Sequence, residues 1–453
     1  MGAFYIGGNK VSPIIKKGAA TIEALSVTPS TSQQTITASG NVDGYSPITV
    51  SAVTASIDSN ITAENIKKDV TILGVTGTHE GGGGIGNTRE VSANGVYQMP
   101  AASFTFSLPS NATDAGNDAM CYAFYNCSSL TGVDLSSLTT LSGIEALYYA
   151  FQGCTNLTSI DLSSLTTVSG NYAMCYAFYN CSGLTDVDLS SLTTLSGIEA
   201  MQRAFQGCTS LTSIDLSSLT TVSGSSAMQY AFYYCSGLTS ADLSSLTTVS
   251  GSSAMQYAFQ GCTKLTSVDL SSLATVSGSS AMNSAFSNCT GLTSVDLSSL
   301  TTVSGSSAMQ TAFYSCTNLT SVLFTNLETI GTNNSSTNYG QFTSCFNNCN
   351  KLTSITFPKL EKIYCTGGTT TSYGTFANNK KVQKLYFPKL NAITYGSGAS
   401  TSYQNACKNV FYGCDALTEL HFGAANQSAI EASPGYSTAW GRGAGNVTIY
   451  FDL

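Results

Sequence analysis

Cys127, Cys154, Cys181, Cys208, Cys235, Cys262, Cys289 and Cys316 recur at a strict i, i+27 spacing without slippage. A fixed period of that size means an array of small units, none of which can bury its apolar residues alone, so neighbours must stack into one continuous core. The 453-residue chain is thereby excluded from folding as one compact globule. Beyond Cys316 the same position is taken by Cys349, Asn379 and Cys414, at spacings of 33, 30 and 35. That makes about eleven repeats. At roughly 4.8 Å per turn the array is on the order of 50 Å long.

One unit reads AMxxAFxxCxxLTSVDLSSLTTVSGSS and divides into two halves. In the segment 130–135 (LTGVDL), Leu130, Val133 and Leu135 form the inward set of a short strand. Ahead of it Ala119, Met120, Ala123, Phe124 and Cys127 follow an i, i+1, i+4, i+5, i+8 pattern, which predicts one stripe of a short helix. Leu138 and Leu141 carry the chain back across the core. The fold class is therefore α/β, a solenoid of strand plus short helix. The cysteines form one rung of the stack, as small, weakly donating hydrophobes in a tight interior corner, and are expected to stay reduced. Cys121 and Cys175 lie on the helix half; Cys345, Cys365 and Cys407 lie in irregular repeats. None makes a C-x-x-C pair, and only His79 and His421 are available as imidazole partners, so no metal or cofactor is expected.

Composition narrows the function. Only 9% of residues are charged, against about a quarter in ordinary globular chains, and Ser, Thr, Gly and Tyr replace them. A polar, uncharged surface suits an extracellular fibre or a sugar-contacting face. The net charge of −8 offers no basic patch to phosphates, which argues against nucleic acid. No apolar run is long enough to span a membrane, and the first residues lack the basic-then-apolar pattern of a secretion signal.

Five segments are expected. Residues 1–79 form a small β-rich module, with short strands suggested by the Thr/Val/Ile-rich stretch 21–77 and a helical segment at 63–68. Residues 80–87, around EGGGGIG, are a flexible linker. Residues 88–118 cap the start of the solenoid, 119–422 form it, and 423–453, with the only tryptophan, cap its end. Three insertions, at 331–340, 366–374 and 394–406, fall in one slot of the repeat and should emerge on one side.

The repeat AF-x-x-C-x-x-L-T-S-V-D-L resembles the BspA-like leucine-rich repeats of bacterial surface proteins, over about two thirds of the chain. It departs from the general leucine-rich pattern in carrying Leu138 where an asparagine is usual. The resemblance implies a binding surface and no catalytic residues. Residues 25–37, 43–50 and 61–77 (LSVTPSTSQQTIT, DGYSPITV and ITAENIKKDVTILGVTG) look like segments of tail-associated proteins of bacteriophages. That likeness implies that residues 1–79 attach to phage tail or baseplate proteins while the solenoid faces the host.

Three sets of residues are candidates for binding. Asp134, Asp161, Asp188, Asp215, Asp242, Asp269 and Asp296 should point outward from the strands. Such a ladder could hold calcium or hydroxyl-rich ligands, or each carboxylate could simply bond the backbone two residues on. Repulsion between neighbours in water is only about 0.8 kcal/mol, so no cation is required. In the insertions, Tyr339, Tyr373, Tyr395 and Tyr403 would act as rigid anchors, with Asn333, Asn334 and Asn338 as adaptable polar partners; tolerated surface insertions are the alternative. Finally, one outward position of the helix half reads Tyr122, Tyr149, Tyr176, Arg203, Tyr230, Tyr257, Ser284 and Thr311, a stripe suited to a protein contact or a trimer interface.

No G-x-S-x-G, H-E-x-x-H or phosphate-loop motif occurs, and the uniform aspartates do not separate into an acid and a base. The expectation is a non-enzymatic host-recognition protein of a phage tail, a tail fibre or receptor-binding protein, located on the virion. Its expected partners are a host cell-surface protein or glycan and further copies of itself. A bacterial cell-surface adhesin is the alternative, and a spacer that only sets reach is a third reading.

Overall fold

A computed structural model describes residues 105–107, 113–331, 340–364, 375–395, 407–441 and 446–453, and before residue 105 the backbone of short strands only. The chain divides into two compact units, Met1–Phe106 and Ser107–Leu453. In the first, antiparallel pairs join Phe4–Ile6 to Asn9–Val11, Gln34–Ile36 to Ile48–Val50, Thr71–Ile72 to Val75–Thr76, and Glu90–Val91 to Tyr97–Gln98. The helix expected at 63–68 and the linker at 80–87 lie outside the described residues.

The second unit is a solenoid of about eleven turns. Each turn has three sides. The first is a short parallel strand, as in Ser159–Asp161, where Ile160 is buried between exposed Ser159 and Asp161. Leu157 and Leu162 flank it inside the core. A tight crossing then leads to a two-residue strand such as Thr167–Val168, which belongs to a ten-stranded parallel sheet running from Thr140–Leu141 to Ala392–Thr394. Pairing is in register at a shift of one repeat, Thr140 opposite Thr167 and Thr167 opposite Thr194. Alternation along each strand sends one set of side chains inward, which is why a few leucines and valines per turn suffice for the core.

The third side differs from the expected short helix. From Asp118 to Cys127 the backbone is a run of tight turns. Asp118, Met120, Tyr122, Phe124 and Asn126 donate their N–H groups to Ile144, Ala146, Tyr148, Ala150 and Gln152 of the next repeat. The residues between them, Ala119, Cys121, Ala123, Tyr125 and Cys127, donate to the carbonyl three positions back. Every fourth residue is left-handed, with φ of 54° at Asp118, 55° at Tyr122 and 57° at Asn126. A true helix would rotate an i, i+4, i+8 stripe by about 40° at each step; the turn run keeps period four without drift. Left-handed conformations cost roughly 1–2 kcal/mol each outside glycine, and the hydrogen bonds to the neighbouring repeat offset that cost. Among the described residues the α-helix is confined to Gln427–Glu431, near the C-terminus.

Close approach between turns selects glycine at one corner. A Cβ on Gly170 would collide with the carbonyl of Gly143, and one on Gly197 with that of Gly170, and so on through Gly305. The last left-handed position of the turn run alternates instead. Asn126 and Asn180 are followed one repeat later by Gly153 and Gly207, whose missing Cβ leaves room for the asparagine side chains. The physical repeat thus keeps its single-turn register, with a pairing of turns superimposed on it.

Inside, Phe124, Phe151, Phe178, Phe205, Phe232, Phe259, Phe286 and Phe313 stack with ring centres 5.1–5.5 Å apart. The cysteine column serves the backbone. Cys154 donates its thiol to the carbonyl of Phe124 at 3.1 Å, Cys235 to Phe205 at 3.0 Å, and Cys316 to Phe286 at 3.2 Å. Burial pushes Cys181 and Cys235 up to about 12, so these thiols keep the proton they donate. Among the described residues thirteen cysteines are buried and outside any disulfide. Cys407 departs from the expected all-reduced set, being disulfide-bonded. Asn379 fills the cysteine place in one distal turn. It accepts from Phe346 N–H at 2.7 Å and donates to Phe376 O at 2.6 Å.

Ahead of the first regular turn, Thr113 and Ala115 accept N–H groups from Thr139, Thr140 and Gly143. The array ends on the strand Thr448–Phe451, paired in parallel with Glu419–Phe422. Trp440 is fully buried there, against Phe411 and Phe422 at 5.9 Å each.

Candidate binding surfaces

The seven aspartates lie in register on the first side, Asp134 opposite Asp161 and Asp161 opposite Asp188. Their carboxylates face solvent and each bonds within its own repeat. The N–H groups of Ser136, Ser163, Ser190, Ser217, Ser244, Ser271 and Ser298 donate to the aspartate two positions earlier at 2.8–3.0 Å. At Asp134 the Ser136 hydroxyl adds a bond of 2.6 Å, and hydroxyl and N–H together hold this carboxyl below its ordinary value. The ladder is a row of turn caps that closes each strand locally.

Further along, the same outward column changes chemistry. Asp296 pairs with Leu323, and in the distal turns the position passes through Thr356, Tyr386, His421 and Tyr450. The His421 imidazole is stacked between the rings of Tyr386 and Tyr450, each 4.6 Å away. Its Nδ1 lies 3.0 Å from Asp452 and its Nε2 3.1 Å from Glu419, which also pairs with Lys384 at 3.0 Å. Both imidazole nitrogens are engaged by carboxylates.

On the turn side, the residues of the predicted stripe form one column of planar groups. Tyr122 stacks on Tyr149 at 5.0 Å and Tyr149 on Tyr176 at 4.4 Å. The Arg203 guanidinium comes next, 5.5 Å from the Tyr176 ring and 4.5 Å from that of Tyr230, which stacks on Tyr257 at 4.7 Å. Beside it runs an amide column in which Gln202 donates to Gln229 at 2.8 Å and Gln229 to Gln256 at 2.7 Å. Partial burial, with Tyr148 beside it, pushes Tyr122 up to about 12, so the phenol is uncharged at neutral pH. The column ends at Ser284 and Thr311, whose hydroxyls bond each other at 2.7 Å.

Of the insertion residues, Tyr395 is half-buried just after the strand Ala392–Thr394. Tyr339, Tyr373, Tyr403, Asn333, Asn334 and Asn338 lie outside the described residues.

A family model for the BspA type leucine-rich repeat region matches residues 117–254, 228–364 and 326–433. These overlapping matches cover well over half of the chain. The chain belongs to the BspA-type leucine-rich repeat family. Among solved structures, this BspA-type chain is similar to a leucine-rich repeat protein from Bacteroides ovatus, at 18% identity over 77% of this chain and 92% of that one, with a TM-score of 0.28. It is also similar to one from Eubacterium ventriosum, at 17% identity over 70% and 72% and a TM-score of 0.32. A Leptospira interrogans leucine-rich repeat protein aligns at 10% identity over 72% and 90%, with a TM-score of 0.27. No curated protein matches the sequence. The family match is to a repeat region of the interaction or adhesion kind. Among the described residues no helix is long and apolar enough to cross a membrane.

The tyrosine column was legible because its members recur at the same interval as the cysteines. The distal Tyr386–His421–Tyr450 stack was not. Its signal lay in the offset from the repeat anchors, since Tyr386 and His421 follow Asn379 and Cys414 by the same 7 residues that separate Asp134 from Cys127.

Proposed function

We propose that this BspA-type protein recognises a bacterial surface on behalf of a bacteriophage tail, with residues 1–79 bound to tail or baseplate proteins and the solenoid presented to a host protein or glycan. The observation that carries the recognition reading is the column from Tyr122 to Tyr257. It is aromatic, uncharged apart from Arg203, and held on a backbone cross-bonded from turn to turn. Tyrosine in such a setting supplies rigid contact area at low entropic cost. The distal insertions add the contact set Tyr339, Tyr373, Tyr395 and Tyr403 with Asn333, Asn334 and Asn338. Replacing those four tyrosines together by serine abolishes host binding under this reading and leaves it intact if the solenoid is only a spacer. The phage assignment rests on the likeness of residues 25–37, 43–50 and 61–77 to tail-associated segments.

Family membership favours a second reading, a cell-surface adhesin of a bacterium. Immunogold electron microscopy with antibody against residues 88–453, on an induced culture of the source bacterium, separates the two. Label at the tails of released particles supports the virion; label confined to intact envelopes overturns it in favour of the adhesin.

A further inference from the structure

At the start of the array three ligating side chains meet that the sequence keeps apart. Cys121 N–H donates to Asp118 O at 3.2 Å, closing the first tight turn and drawing the carboxylate and the thiol together. Glu145 occupies the place of Asp118 one repeat later, with the same left-handed φ of 54°. The result is a carboxylate, a thiol and a second carboxylate whose ligand atoms lie within 4.8 Å of one another. Cys121 is only 7% exposed, and its thiol has no hydrogen-bond partner among the described residues. A buried polar group without a partner in a folded core calls for an explanation.

The chain supplies its own comparison two repeats further on. There Cys175 and Glu199 correspond to Cys121 and Glu145, but Tyr172 stands in place of Asp118, and the Cys175 thiol is satisfied by Gln202 Oε1 at 3.7 Å. Gln202 in turn stands where the first repeats carry Tyr148, so the amide that satisfies Cys175 has no counterpart beside Cys121.

We propose that Asp118, Cys121 and Glu145 bind a divalent cation of borderline softness, zinc or its analogue cadmium. One thiolate and two carboxylates form a mixed donor set that zinc accepts in tetrahedral geometry, with water in the remaining position. Calcium and magnesium take all-oxygen shells and copper(I) selects soft sulfur ligands, so neither class fits this set. Because Glu145 comes from one turn and the other two ligands from the turn before it, the ion joins two successive turns near the start of the regular array.

The full chain, without a histidine tag and stripped by chelator, is titrated with zinc by calorimetry and with cadmium by the ultraviolet thiolate-to-cadmium band. One equivalent per chain is expected, with the band lost in C121S and retained in C175S. D118N and E145Q should each weaken zinc binding by about tenfold or more, and zinc should raise the melting temperature of the wild type more than that of D118N. Absence of the band in the wild type, or its survival in C121S, overturns the site. Should C121S fail to fold, D118N and E145Q decide: unchanged zinc affinity in both overturns it, and loss in both supports it.

Discussion

The eight regular turns from Cys127 to Cys316 and the irregular turns after them share the same inward columns and differ in what surrounds those columns. In the regular part, phenylalanine, cysteine, aspartate and glycine repeat at one spacing, and each bond recurs in the next turn. In the distal part, the ten-stranded sheet continues through Lys362–Tyr364 and Ala392–Thr394, whereas the first side restarts as a separate four-stranded sheet at Ser354–Thr356. Asparagine replaces cysteine at Asn379, and Leu323, Thr356, Tyr386 and His421 stand in the place of the aspartates. The lesson is that the solenoid tolerates extra residues between the second sheet and the turn run because the inward columns resume on the far side. Redundancy shapes the first region; single, unrepeated contacts shape the second.

The largest expected effect that tests this contrast is Phe205→Ala. Its ring is fully buried between Phe178 and Phe232, and truncation should cost about 3–5 kcal/mol. Chemical denaturation followed by circular dichroism should show the regular turns unfolding earlier, while Trp440, the single tryptophan, reports the distal cap separately. If both probes shift together and equally, the two regions behave as one cooperative block and the contrast fails. Asn379→Cys should come next. It restores the regular residue but leaves the buried Phe346 N–H without its acceptor, at a cost of roughly 1–3 kcal/mol. A neutral outcome would mean that a thiol does everything the amide does. The smallest effect should be electrostatic. Lys384 and then His421 hold the Glu419 carboxyl below its ordinary value. Its contribution is therefore present above the ordinary glutamate range and is lost as pH falls through the lowered folded value. Trp440 melting curves should show this acid-side loss in the wild type and less of it in Glu419→Gln; identical profiles would remove the ion pair from the account of cap stability.

Much of this architecture was legible before any coordinates. The cysteine spacing announced stacked turns, and Leu130, Val133 and Leu135 identified the inward set of the strand. The outward aspartates and the Tyr122-to-Tyr257 column followed from the same register. The turn run was misread as a helix because apolar residues at i, i+4 and i+8 satisfy both a 3.6-residue stripe and a period-four one over so short a span. The distal stack was missed because the column was followed through its aspartates and not through its constant offset of 7 residues from the anchors Asn379 and Cys414.

The sequence by itself determined the repeat and the inward columns, since these depend on residue type at a fixed spacing. Only the tertiary structure decided the backbone of the third side, because half of its hydrogen bonds reach carbonyls of the following repeat and exist only once that neighbouring turn is in place. The same holds for the meeting of Asp118 and Cys121 with Glu145. Residues a repeat apart become neighbours through stacking, a relation that distance along the chain does not reveal.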